Sequence, residues 1–482
     1  MEKLKNYIDG KWKESATDKY LDVNNPATGE TLGKVPLSTA EEVEKAIDSA
    51  CEAFQDWRQT PPVERARYLY RLKSLMEENR EELAQTITRE EGKNIASARG
   101  EVRRTIENVE VAAGIPSLMM GYNAEDVAQN IDEFCIKQPL GVFAHLAPFN
   151  FPAMVPYWYV PYALATGNTF ILKPSEKVPF SQKILMEFCD QIDLPAGVLN
   201  LVNGGKEVAE VILESNHVQG VTFVGSTGVA RHVYEKAAQT GKKVQCQGGA
   251  CNFLLVMPDA ELEQAMPNIV NSFFACAGQR CLAGQNLVAV GDVYERLRAE
   301  VIKYVEDIKV GYGLEEDVDM GPVITAEQRE NIIASIDKAV QQGAEVVIDG
   351  RELKVAGYEE GNFVGPTVLS GDINQLEIVN EEIFGPVLNL IKVDDLQEGI
   401  ELINSNNYGN AASIYTQNGK WAREFRYRTD CGNLGVNVGV AAPMPFFPFS
   451  GYKDSFFGDL HAQGKDIVNF FTERKVVIER WF

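Results

Sequence analysis

From residue 141 onward, short apolar runs alternate with stretches of helical periodicity, and this alternation is the feature that most constrains the fold. Four runs come first, at 141–146, 169–172, 198–202 and 221–224, and six follow, at 253–256, 286–290, 345–348, 387–393, 412–415 and 435–438. Strands that alternate with helices form parallel sheets covered by helices on both faces. A chain of 482 residues is also long enough for more than one domain. The sequence therefore predicts two doubly wound α/β domains.

Two other parts of the chain have different patterns. Residues 38–115 show helical spacing of apolar positions and begin with Ser38-Thr39-Ala40-Glu41, an N-cap residue with an acid three positions later, so we expect a set of helices there. Residues 131–137 and 475–478 read as exposed strands, and such strands usually find partners, here in another subunit. The sequence thus predicts a small strand element that mediates oligomerisation.

The stretch 151–172 contains no charged residue over a length that could span a bilayer. It also contains Pro152, Pro156, Pro161 and Gly167, which would interrupt a lipid-exposed helix. A buried helix that leads into a strand is the favoured interpretation, so no membrane association is expected.

The charge and the cysteine content exclude several classes of function. Acidic residues outnumber basic ones by 69 to 46, for a formal net charge of −23, which opposes binding to nucleic acid. Residues 1–15 carry alternating charges without the apolar stretch of a signal peptide, so a cytoplasmic location is expected. The eight cysteines are then expected to be free thiols. With four histidines and no Cys/His set at zinc-site spacing, no metal site is expected.

Cys281 is a candidate nucleophile. A nucleophilic cysteine needs thiolate character, access for the substrate, and a group that holds negative charge once a carbonyl is attacked. Arg280 precedes it and favours the thiolate if its side chain points inward, while Asn150, far upstream, supplies an amide that could face the thiol. Taken alone, Cys281 reads more simply as a buried structural thiol, and Asn150 as a residue that closes a turn before Pro152.

Six separated motifs bear on this choice. In chain order they are Pro148-Phe149-Asn150-Phe151-Pro152, Leu172-Lys173-Pro174-Ser175-Glu176, Phe223-Val224-Gly225-Ser226, Gly278-Gln279-Arg280-Cys281, Glu381-Glu382-Ile383-Phe384-Gly385-Pro386 and Pro448-Phe449-Ser450-Gly451. Together they resemble the aldehyde dehydrogenase superfamily over essentially the whole chain. The resemblance implies an α/β fold with a Rossmann-like NAD-binding domain at 1–122 and 141–250, an α/β catalytic domain at 251–430, and a small β oligomerisation element at 123–140 and 431–482. It also implies a homodimer or a homotetramer.

The resemblance assigns roles to particular residues. Cys281 would attack the aldehyde substrate, and Asn150 would stabilise the oxyanion together with the backbone N–H of Cys281. Seven residues would bind NAD, namely Phe149, Lys173, Glu176, Gly225, Ser226, Glu382 and Phe384. A carboxylate at position 176 can accept from a ribose 2′-hydroxyl and would repel a 2′-phosphate, which favours NAD over NADP. Gly225 and Ser226 lie where a strand turns into a helix, so their N–H groups can face a pyrophosphate.

Position 247 departs from the pattern of hydrolytic aldehyde dehydrogenases. The resemblance implies that those enzymes carry a glutamate at this position, which activates water. Here the run reads Gln247-Gly248-Gly249-Ala250-Cys251-Asn252, and an amide cannot take up a proton usefully at neutral pH. Coenzyme A is a thiol that ionises more readily than water and is a stronger nucleophile, so it could accept the acyl group without that base. A hydrolytic enzyme that releases a free acid through another base remains the alternative, and a non-enzymatic binding protein with this fold is a second one.

The absence of this glutamate resembles the pattern of one branch of the superfamily, the CoA-acylating methylmalonate-semialdehyde dehydrogenases. That branch implies an arginine before the nucleophile and another on an early helix, matched here by Arg280 and Arg104, although Arg103 beside Arg104 leaves that choice open. Two guanidinium groups suit a substrate that carries a carboxylate beside its aldehyde, such as malonate or methylmalonate semialdehyde. The resemblance then implies loss of carbon dioxide. Cys251 stands where the branch has a lysine, which puts the fine specificity in question.

Overall fold

The computed structural model describes residues 2–482. Its N-terminal part consists of short strands followed by helices: β1 Glu2–Lys3, β2 Asn6–Ile8, β3 Lys11–Lys13, β4 Tyr20–Asn24, β5 Thr31–Pro36, α1 Ala40–Trp57, α2 Pro62–Glu78, α3 Arg80–Glu91, α4 Ile95–Ala113 and α5 Ile115–Leu118. The helices predicted for 38–115 are confirmed. The N-cap of helix α1 is Thr39, one residue later than predicted, because Thr39 and Glu42 form the capping box while Ser38 accepts a hydrogen bond from Asn6.

The middle of the chain contains two strands of a small separate sheet, then the first α/β set, and finally the first strand of the second α/β set. Its elements are β6 Tyr122–Ala128, β7 Ile131–Pro139, β8 Val142–Leu146, a 3₁₀ turn at Pro156–Trp158, α6 Val160–Thr166, β9 Thr169–Lys173, α7 Phe180–Gln191, β10 Leu199–Leu201, α8 Lys206–Glu214, β11 Val218–Val224, α9 Thr227–Gln239, β12 Lys243–Gln247 and β13 Asn252–Val256. The four strands predicted between 141 and 224 are confirmed as β8 to β11.

The second α/β set and the C-terminal strand follow. The elements are α10 Leu262–Phe274, a 3₁₀ turn at Ala275–Gly278, β14 Gly284–Val290, a 3₁₀ turn at Gly291–Val293, α11 Tyr294–Glu306, α12 Ala326–Gln341, β15 Glu345–Ile348, β16 Thr367–Ser370, α13 Glu377–Asn380, β17 Val387–Val393, α14 Leu396–Ser405, β18 Tyr408–Gly409, β19 Ala411–Tyr415, α15 Gly419–Arg428, β20 Asn433–Val436, β21 Tyr452–Lys453, β22 Phe456–Gly458, α16 Gly464–Phe470 and β23 Thr472–Arg480. The six strands predicted from 253 onward are confirmed as β13, β14, β15, β17, β19 and β20.

Two large sheets organise these elements. The eight-stranded sheet has the order β22-β12-β11-β8-β9-β10-β2-β3, and the seven-stranded sheet has the order β15-β16-β17-β14-β13-β19-β20. Neighbouring strands from β12 to β10 and from β16 to β20 run parallel, as predicted. The outer strands β22, β2, β3 and β15 pair antiparallel, because short strands added at an edge need no helical crossover.

The strands predicted at 131–137 and 475–478 pair with each other within the chain. They belong to β7 and β23, which form a three-stranded antiparallel sheet with β6. Val476 and Ile478 on β23 are 60% and 65% exposed, so this sheet presents apolar side chains to its surroundings. Two other strands within 431–482 join the large sheets instead, β20 the seven-stranded one and β22 the eight-stranded one. The domain limits drawn from the sequence stay a prediction.

The uncharged stretch 151–172 is mostly buried, and its last residues belong to β9 of the eight-stranded sheet. Helix α6 and strand β9 are buried along their whole length, which confirms a buried helix leading into a strand. Tyr157, Tyr159 and Tyr162 of this stretch are each exposed by 1% or less. Within residues 2–482, no helix combines the length and apolar character needed to cross a membrane.

Candidate active site

A left-handed turn after helix α10 presents Cys281. Cys276, Ala277 and Gly278 have φ values of 54°, 52° and 73°, a conformation that is costly for the two residues with a Cβ. A Cβ at position 278 would lie 2.1 Å from the main-chain oxygen of Gly385, so glycine is required there. The sharp turn brings position 278 so close to the main chain of Gly385 that no residue with a side chain fits there.

Two amide side chains fix the main chain at the nucleophile. Asn252 and Asn410 both donate to the main-chain oxygen of Cys281, over 2.9 and 2.7 Å. Asn252 begins β13, and Asn410 immediately precedes β19, so neighbouring strands of the seven-stranded sheet hold this oxygen. The position of the thiol is therefore set by the sheet as well as by the turn.

Cys281 lies where two cavities meet. The arginine cavity, of about 290 Å³, is lined by Cys281, Arg104, Arg280, Phe449 and other residues. The glutamate cavity, of about 490 Å³, is lined by Cys281, Asn150, Glu382 and others. A thiol shared by two cavities can be approached by one small molecule from each side. The structure thus brings Asn150 and Cys281 together at one site.

A buried ion pair supports the residue that carries the candidate oxyanion amide. The side-chain amide of Asn150 donates to the main-chain oxygen of Gln279 at 3.0 Å, beside the nucleophile loop. Lys93 donates to the main-chain oxygen of Asn150 at 2.6 Å and to Glu101 at 2.8 Å, and both charged side chains are fully buried. The second oxygen of Glu101 accepts from the N–H groups of Ala153 and Met154. The pair therefore holds the turn that presents Asn150.

Sequence reasoning missed Lys93 and Glu101. Lys93 follows Glu90-Glu91-Gly92, and a run with three charges in four residues is typical of an exposed helix end. Lys93 nevertheless lies 4.0 Å from the centre of the Phe151 ring, in the protein interior. Burial acts to lower the pKa of Lys93, but the combined attraction of Glu101 and Glu91 raises it overall, so the charge is retained. No local signal in the sequence distinguishes this lysine from a solvated one.

The electrostatics of the site couple Cys281 to Glu382. Burial, and after it the charge of Glu382, raise the pKa of the Cys281 thiol to about 12, while backbone N–H groups and Arg280 act against this rise. Burial raises the pKa of Glu382 to about 7, against one hydrogen bond from the N–H of Ala250. The thiol is therefore protonated at neutral pH in this form, and a protonated Glu382 would make its ionisation easier.

Gln247 lines neither cavity itself, but it directly precedes Gly248, which lines the glutamate cavity. Gln247 ends β12, is 3% exposed, and its Nε2 lies 3.5 Å from the main-chain oxygen of Phe449, which lines the arginine cavity. Across residues 2–482, its Oε1 atom finds no hydrogen-bond partner. The carboxylates that line cavities shared with Cys281 are Glu101, held by Lys93, and Glu382. These two are the carboxylates that the cavities offer as a base for water attack.

Both predicted arginines line the arginine cavity. Arg104 contacts Glu107 and the sulfur of Met444, while Arg103 points outward to Glu77 and Glu107, with 55% of its side chain exposed. Arg280 donates from Nη2 to the main-chain oxygens of Asn271 and Ser272, the latter at 3.1 Å. Of the two adjacent arginines, Arg104 is thus the one that faces the cavity.

The seven predicted cofactor residues line a continuous surface. Phe149, Lys173, Glu176 and Gly225 line the lysine cleft, of about 540 Å³. Phe149 and Gly225 also line the glutamate cavity, where they meet the remaining three, Ser226, Glu382 and Phe384. The rings of Phe149 and Phe384 are 5.9 Å apart and nearly perpendicular.

Local contacts orient the polar residues of this surface. Lys173 donates to Glu176 at 3.0 Å, and although burial acts to raise the pKa of Glu176, Lys173 and its hydrogen bonds lower it overall. Ser226 is the N-cap residue of α9, and Thr227 accepts from the N–H of Gly249 at 2.9 Å. The cleft therefore combines an ionised carboxylate with a helix N-terminus.

Cys251 lies in a buried polar network of the seven-stranded sheet. Its thiol donates to the main-chain oxygen of Val379 at 3.0 Å and accepts from Gln285 and Asn286 at 3.2 and 3.3 Å. Gln285 also bonds the main chain of Glu381 and Ile383 on either side of Glu382. Burial raises the pKa of Cys251 to about 12, so it is a neutral thiol that helps to hold the Glu382 loop.

All eight cysteines are free thiols. In the part of the chain that the structure describes, residues 2–482, no group of three or more His, Cys, Asp or Glu side chains could hold a metal ion.

Comparisons with known proteins agree with this geometry. The Aldehyde dehydrogenase family matches residues 12–477. A malonate-semialdehyde dehydrogenase from Halalkalibacterium halodurans is 47% identical over 480 residues, covering 100% of this chain and 99% of that protein. One from Listeria monocytogenes is 46% identical over 479 residues, covering 99% of this chain and 98% of that protein.

Solved structures with related enzyme names also resemble this chain over its full length. The crystal structure of a methylmalonate-semialdehyde dehydrogenase from Oceanimonas doudoroffii matches with a TM-score of 0.98 and 41% identity, covering 100% of this chain and 99% of that chain. A structure from Sinorhizobium meliloti that bears the same enzyme name, complexed with NAD, matches with a TM-score of 0.98 and 40% identity, covering 100% and 98%. The chain therefore belongs to the aldehyde dehydrogenase family, as an enzyme with the α/β fold of that family.

Proposed function

We propose that this enzyme oxidises a carboxylated semialdehyde with NAD through a thioester on Cys281, and that coenzyme A accepts the acyl group. The observation that carries the proposal is the position of Cys281, between a cavity lined by two arginines and a cavity lined by Glu382. One cavity suits an anionic substrate, and the other suits a cofactor. Relatives at 46–48% identity are named malonate-semialdehyde dehydrogenases, which supports the same substrate class.

The lysine cleft fits NAD by the chemistry of its groups. Glu176, with its lowered pKa, can accept from a ribose hydroxyl, and Leu146, Val224 and Val229 offer apolar contacts for an adenine ring. The N-terminus of α9 at Ser226 offers N–H groups to a pyrophosphate. When bound, NAD accepts a hydride. The glutamate cavity connects this cleft to Cys281, and Glu382 and Phe384 would hold the nicotinamide end.

The residues of the site divide the oxidation step among them. Cys281 first releases its thiol proton to solvent, and the resulting thiolate forms a bond to the aldehyde carbon. The developing oxyanion is held by the side-chain amide of Asn150 and the N–H of Cys281. Lys93 keeps the Asn150 turn in place through its 2.6 Å bond to the main-chain oxygen. Arg104 and Arg280 would pair with the substrate carboxylate and orient the aldehyde toward the thiol.

Release of the acyl group is proposed to use coenzyme A. An amide at Gln247 cannot remove a proton from water at neutral pH, so hydrolysis lacks the base expected at this position. The thiol of coenzyme A ionises more readily and attacks the thioester carbonyl, which transfers the acyl group from one sulfur to another. For malonate or methylmalonate semialdehyde, the family resemblance implies loss of carbon dioxide and formation of acetyl-CoA or propionyl-CoA.

We further propose a cytoplasmic homodimer or homotetramer. The sheet of β6, β7 and β23 supports an assembly of this kind, because Tyr122, Val476 and Ile478 are each more than half exposed on it. Apolar side chains on a narrow sheet are better covered by a second copy than by water.

A product assay tests the proposal. Enzyme, NAD and malonate or methylmalonate semialdehyde are incubated with and without coenzyme A, and acyl-CoA and free acid are both quantified. We expect acyl-CoA as the main product and little free acid without coenzyme A. Free acid formed at full rate without coenzyme A would overturn the choice of acceptor. A Cys281→Ala variant that still forms NADH would overturn the enzymatic mechanism itself.

A hydrolytic reaction is the second candidate, and Glu382 favours it. This carboxylate shares a cavity with Cys281, and its pKa of about 7 is suited to a general base. If Glu382 activates water, the wild type will release acid without coenzyme A, and Glu382→Gln will abolish that release. If coenzyme A is the acceptor, wild type and variant will both release little acid in its absence.

A further inference from the structure

The main chain at Gln463 adopts a conformation that is almost restricted to glycine. Its φ and ψ values are 66° and 179°, and the residue is 4% exposed. A residue with a side chain persists in this region only where its surroundings enforce it, and such residues cluster at ligand sites. Gln463 also lines the arginine cavity together with Cys281.

Bonds to the cavity wall enforce this conformation. On one side, Phe449 donates from its N–H to the main-chain oxygen of Ala462 at 2.8 Å. On the other side, Gly464 donates to the main-chain oxygen of Pro445 at 2.9 Å. Pro445 and Phe449 themselves line the arginine cavity. These hydrogen bonds therefore hold the backbone on both sides of Gln463 against the part of the arginine cavity formed by Pro445 and Phe449.

The polar groups of the cavity differ in whether they have partners. Glu101 is engaged by Lys93 and by two N–H groups, and Asn108 both donates to Arg104 and accepts from Tyr162. By contrast, Oε1 of Gln463 and Nε of Arg280 are buried and lack a hydrogen-bond partner among the described residues 2–482. A buried polar atom without a hydrogen-bond partner destabilises the folded protein unless a bound ligand supplies that partner.

Rotation of the terminal amide by 180° exchanges its oxygen and nitrogen, so Gln463 can offer N–H donors at the place where its oxygen now lies. The substrate of the proposed function has two polar ends. Asn150 and the N–H of Cys281 serve the aldehyde oxygen, and the carboxylate remains for the groups that lack partners.

We infer that Gln463 and the Nε–H of Arg280 form a subsite for the carboxylate of a short semialdehyde. The inference rests on the proposed function and adds a neutral donor to the two guanidinium groups. Gln463 then determines preference for carboxylated substrates, because an uncharged aldehyde of the same length offers it no acceptor.

Two substrates and two variants test this subsite. Initial rates of NADH formation are measured with malonate semialdehyde and with propanal, in the presence of NAD and coenzyme A. Gln463→Leu is expected to lower kcat/KM for malonate semialdehyde by about 10- to 100-fold, as for loss of a hydrogen bond to a charged group. For propanal the loss should be much smaller, because its uncharged end offers Gln463 no hydrogen-bond acceptor.

Gln463→Gly separates the role of the side chain from that of the backbone. Glycine adopts the observed φ and ψ without strain, so this variant should be at least as resistant to thermal unfolding as Gln463→Leu. It should nevertheless lose the same preference for malonate semialdehyde. Asn469→Leu, at a partly exposed position of helix α16, which begins directly after Gln463, should leave the preference unchanged.

The outcomes distinguish this inference from the proposed function. If the wild type does not prefer malonate semialdehyde over propanal, the proposed substrate class fails and the subsite fails with it. If the wild type prefers malonate semialdehyde and both Gln463 variants keep that preference, the subsite is overturned while the proposed function stands. Equal losses for both substrates would likewise overturn the subsite, because they would indicate a structural role.

Discussion

The ammonium group of Lys93 lies 2.6 Å from the main-chain oxygen of Asn150 and 2.8 Å from the carboxylate of Glu101. It therefore connects a fully buried ion pair to the residue whose side-chain amide faces the nucleophile loop. The amide can stabilise an oxyanion only if this turn is rigid, because a preorganised donor has to meet the charge where it develops. The ion pair is thus a positioning device beneath the site.

Lys93→Met should destabilise the protein and slow its chemistry. The free energy of unfolding should fall by about 3–5 kcal/mol, because Glu101 is left as a buried charge without its partner. The double variant Lys93→Met with Glu101→Gln removes that charge and should recover part of the stability, yet its kcat should stay low at unchanged KM for NAD. Chemical denaturation and steady-state kinetics measure both.

Lys73 provides the matched control for that experiment. It pairs with Glu110 at 3.1 Å, but about a third of each side chain is exposed. Lys73→Met should change stability by less than about 1 kcal/mol and leave kcat unchanged, because exposed ion pairs contribute little. Wild-type kcat in the Lys93 and Glu101 double variant would contradict the positioning role.

Gln247→Glu should open the hydrolytic route. A carboxylate at this position can take a proton from water, so the rate of acid release without coenzyme A should rise by about 10²-fold, the usual contribution of a general base. Gln247→Asn keeps an amide and should show no such gain. Free acid is quantified after incubation with NAD and semialdehyde. Unchanged acid release in Gln247→Glu would show that position 247 does not control the acceptor.

The reactivity of Cys281 should respond in opposite directions to its two charged neighbours. The charge of Glu382 acts to raise the pKa of the thiol, and Arg280 acts to lower it. Glu382→Gln should therefore accelerate alkylation of Cys281 by iodoacetamide at pH 8, and Arg280→Leu should slow it. Labelling is followed by mass spectrometry, with Cys281→Ser as the background for the other seven cysteines. Shifts of both variants in one direction would contradict this electrostatic coupling.

The free energy of unfolding should also fall as the pH rises from 4.5 to about 7, because Glu382 titrates in this range. Burial raises the pKa of this carboxyl from 4.5 to about 7, so the folded state keeps a proton that the unfolded state has already lost. Stability contributed by that proton is present below pH 4.5 and decreases as the pH rises to about 7. Glu382→Gln should show a smaller decrease over this window in denaturation experiments. A difference of opposite sign would mean that folding lowers the pKa of Glu382 instead of raising it.

The sequence predicted the central strands because their apolar runs are long enough to be distinctive, as in β17, predicted at 387–393 and found at Val387–Val393. It did not predict β12 or the short edge strand β22. Lys243–Gln247 of β12 is largely polar, and Phe456–Gly458 of β22 has three residues, so neither carries a periodic signal. Their pairing depends on the rest of the sheet.

The residues of the candidate site that lie in sequence motifs could be predicted, whereas those placed only by tertiary packing could not. Cys281 and Asn150 were identified from local runs, and the fold brings them to one cavity. Lys93 and Gln463 were not identified, because their roles arise from contacts with residues far away in sequence, Lys93 with Asn150 and Gln463 with the wall near Pro445. A lysine in a charged run and a glutamine before a glycine have no distinctive local pattern.

The most direct test of the central claim is a rapid-mixing measurement of NADH formation by the wild type with excess NAD and malonate semialdehyde, first without coenzyme A. The account predicts a burst close to one NADH per Cys281, followed by a much slower rate until coenzyme A is added, because the acyl group remains on the sulfur. Continuous turnover at the burst rate without coenzyme A, with free acid as product, would contradict it.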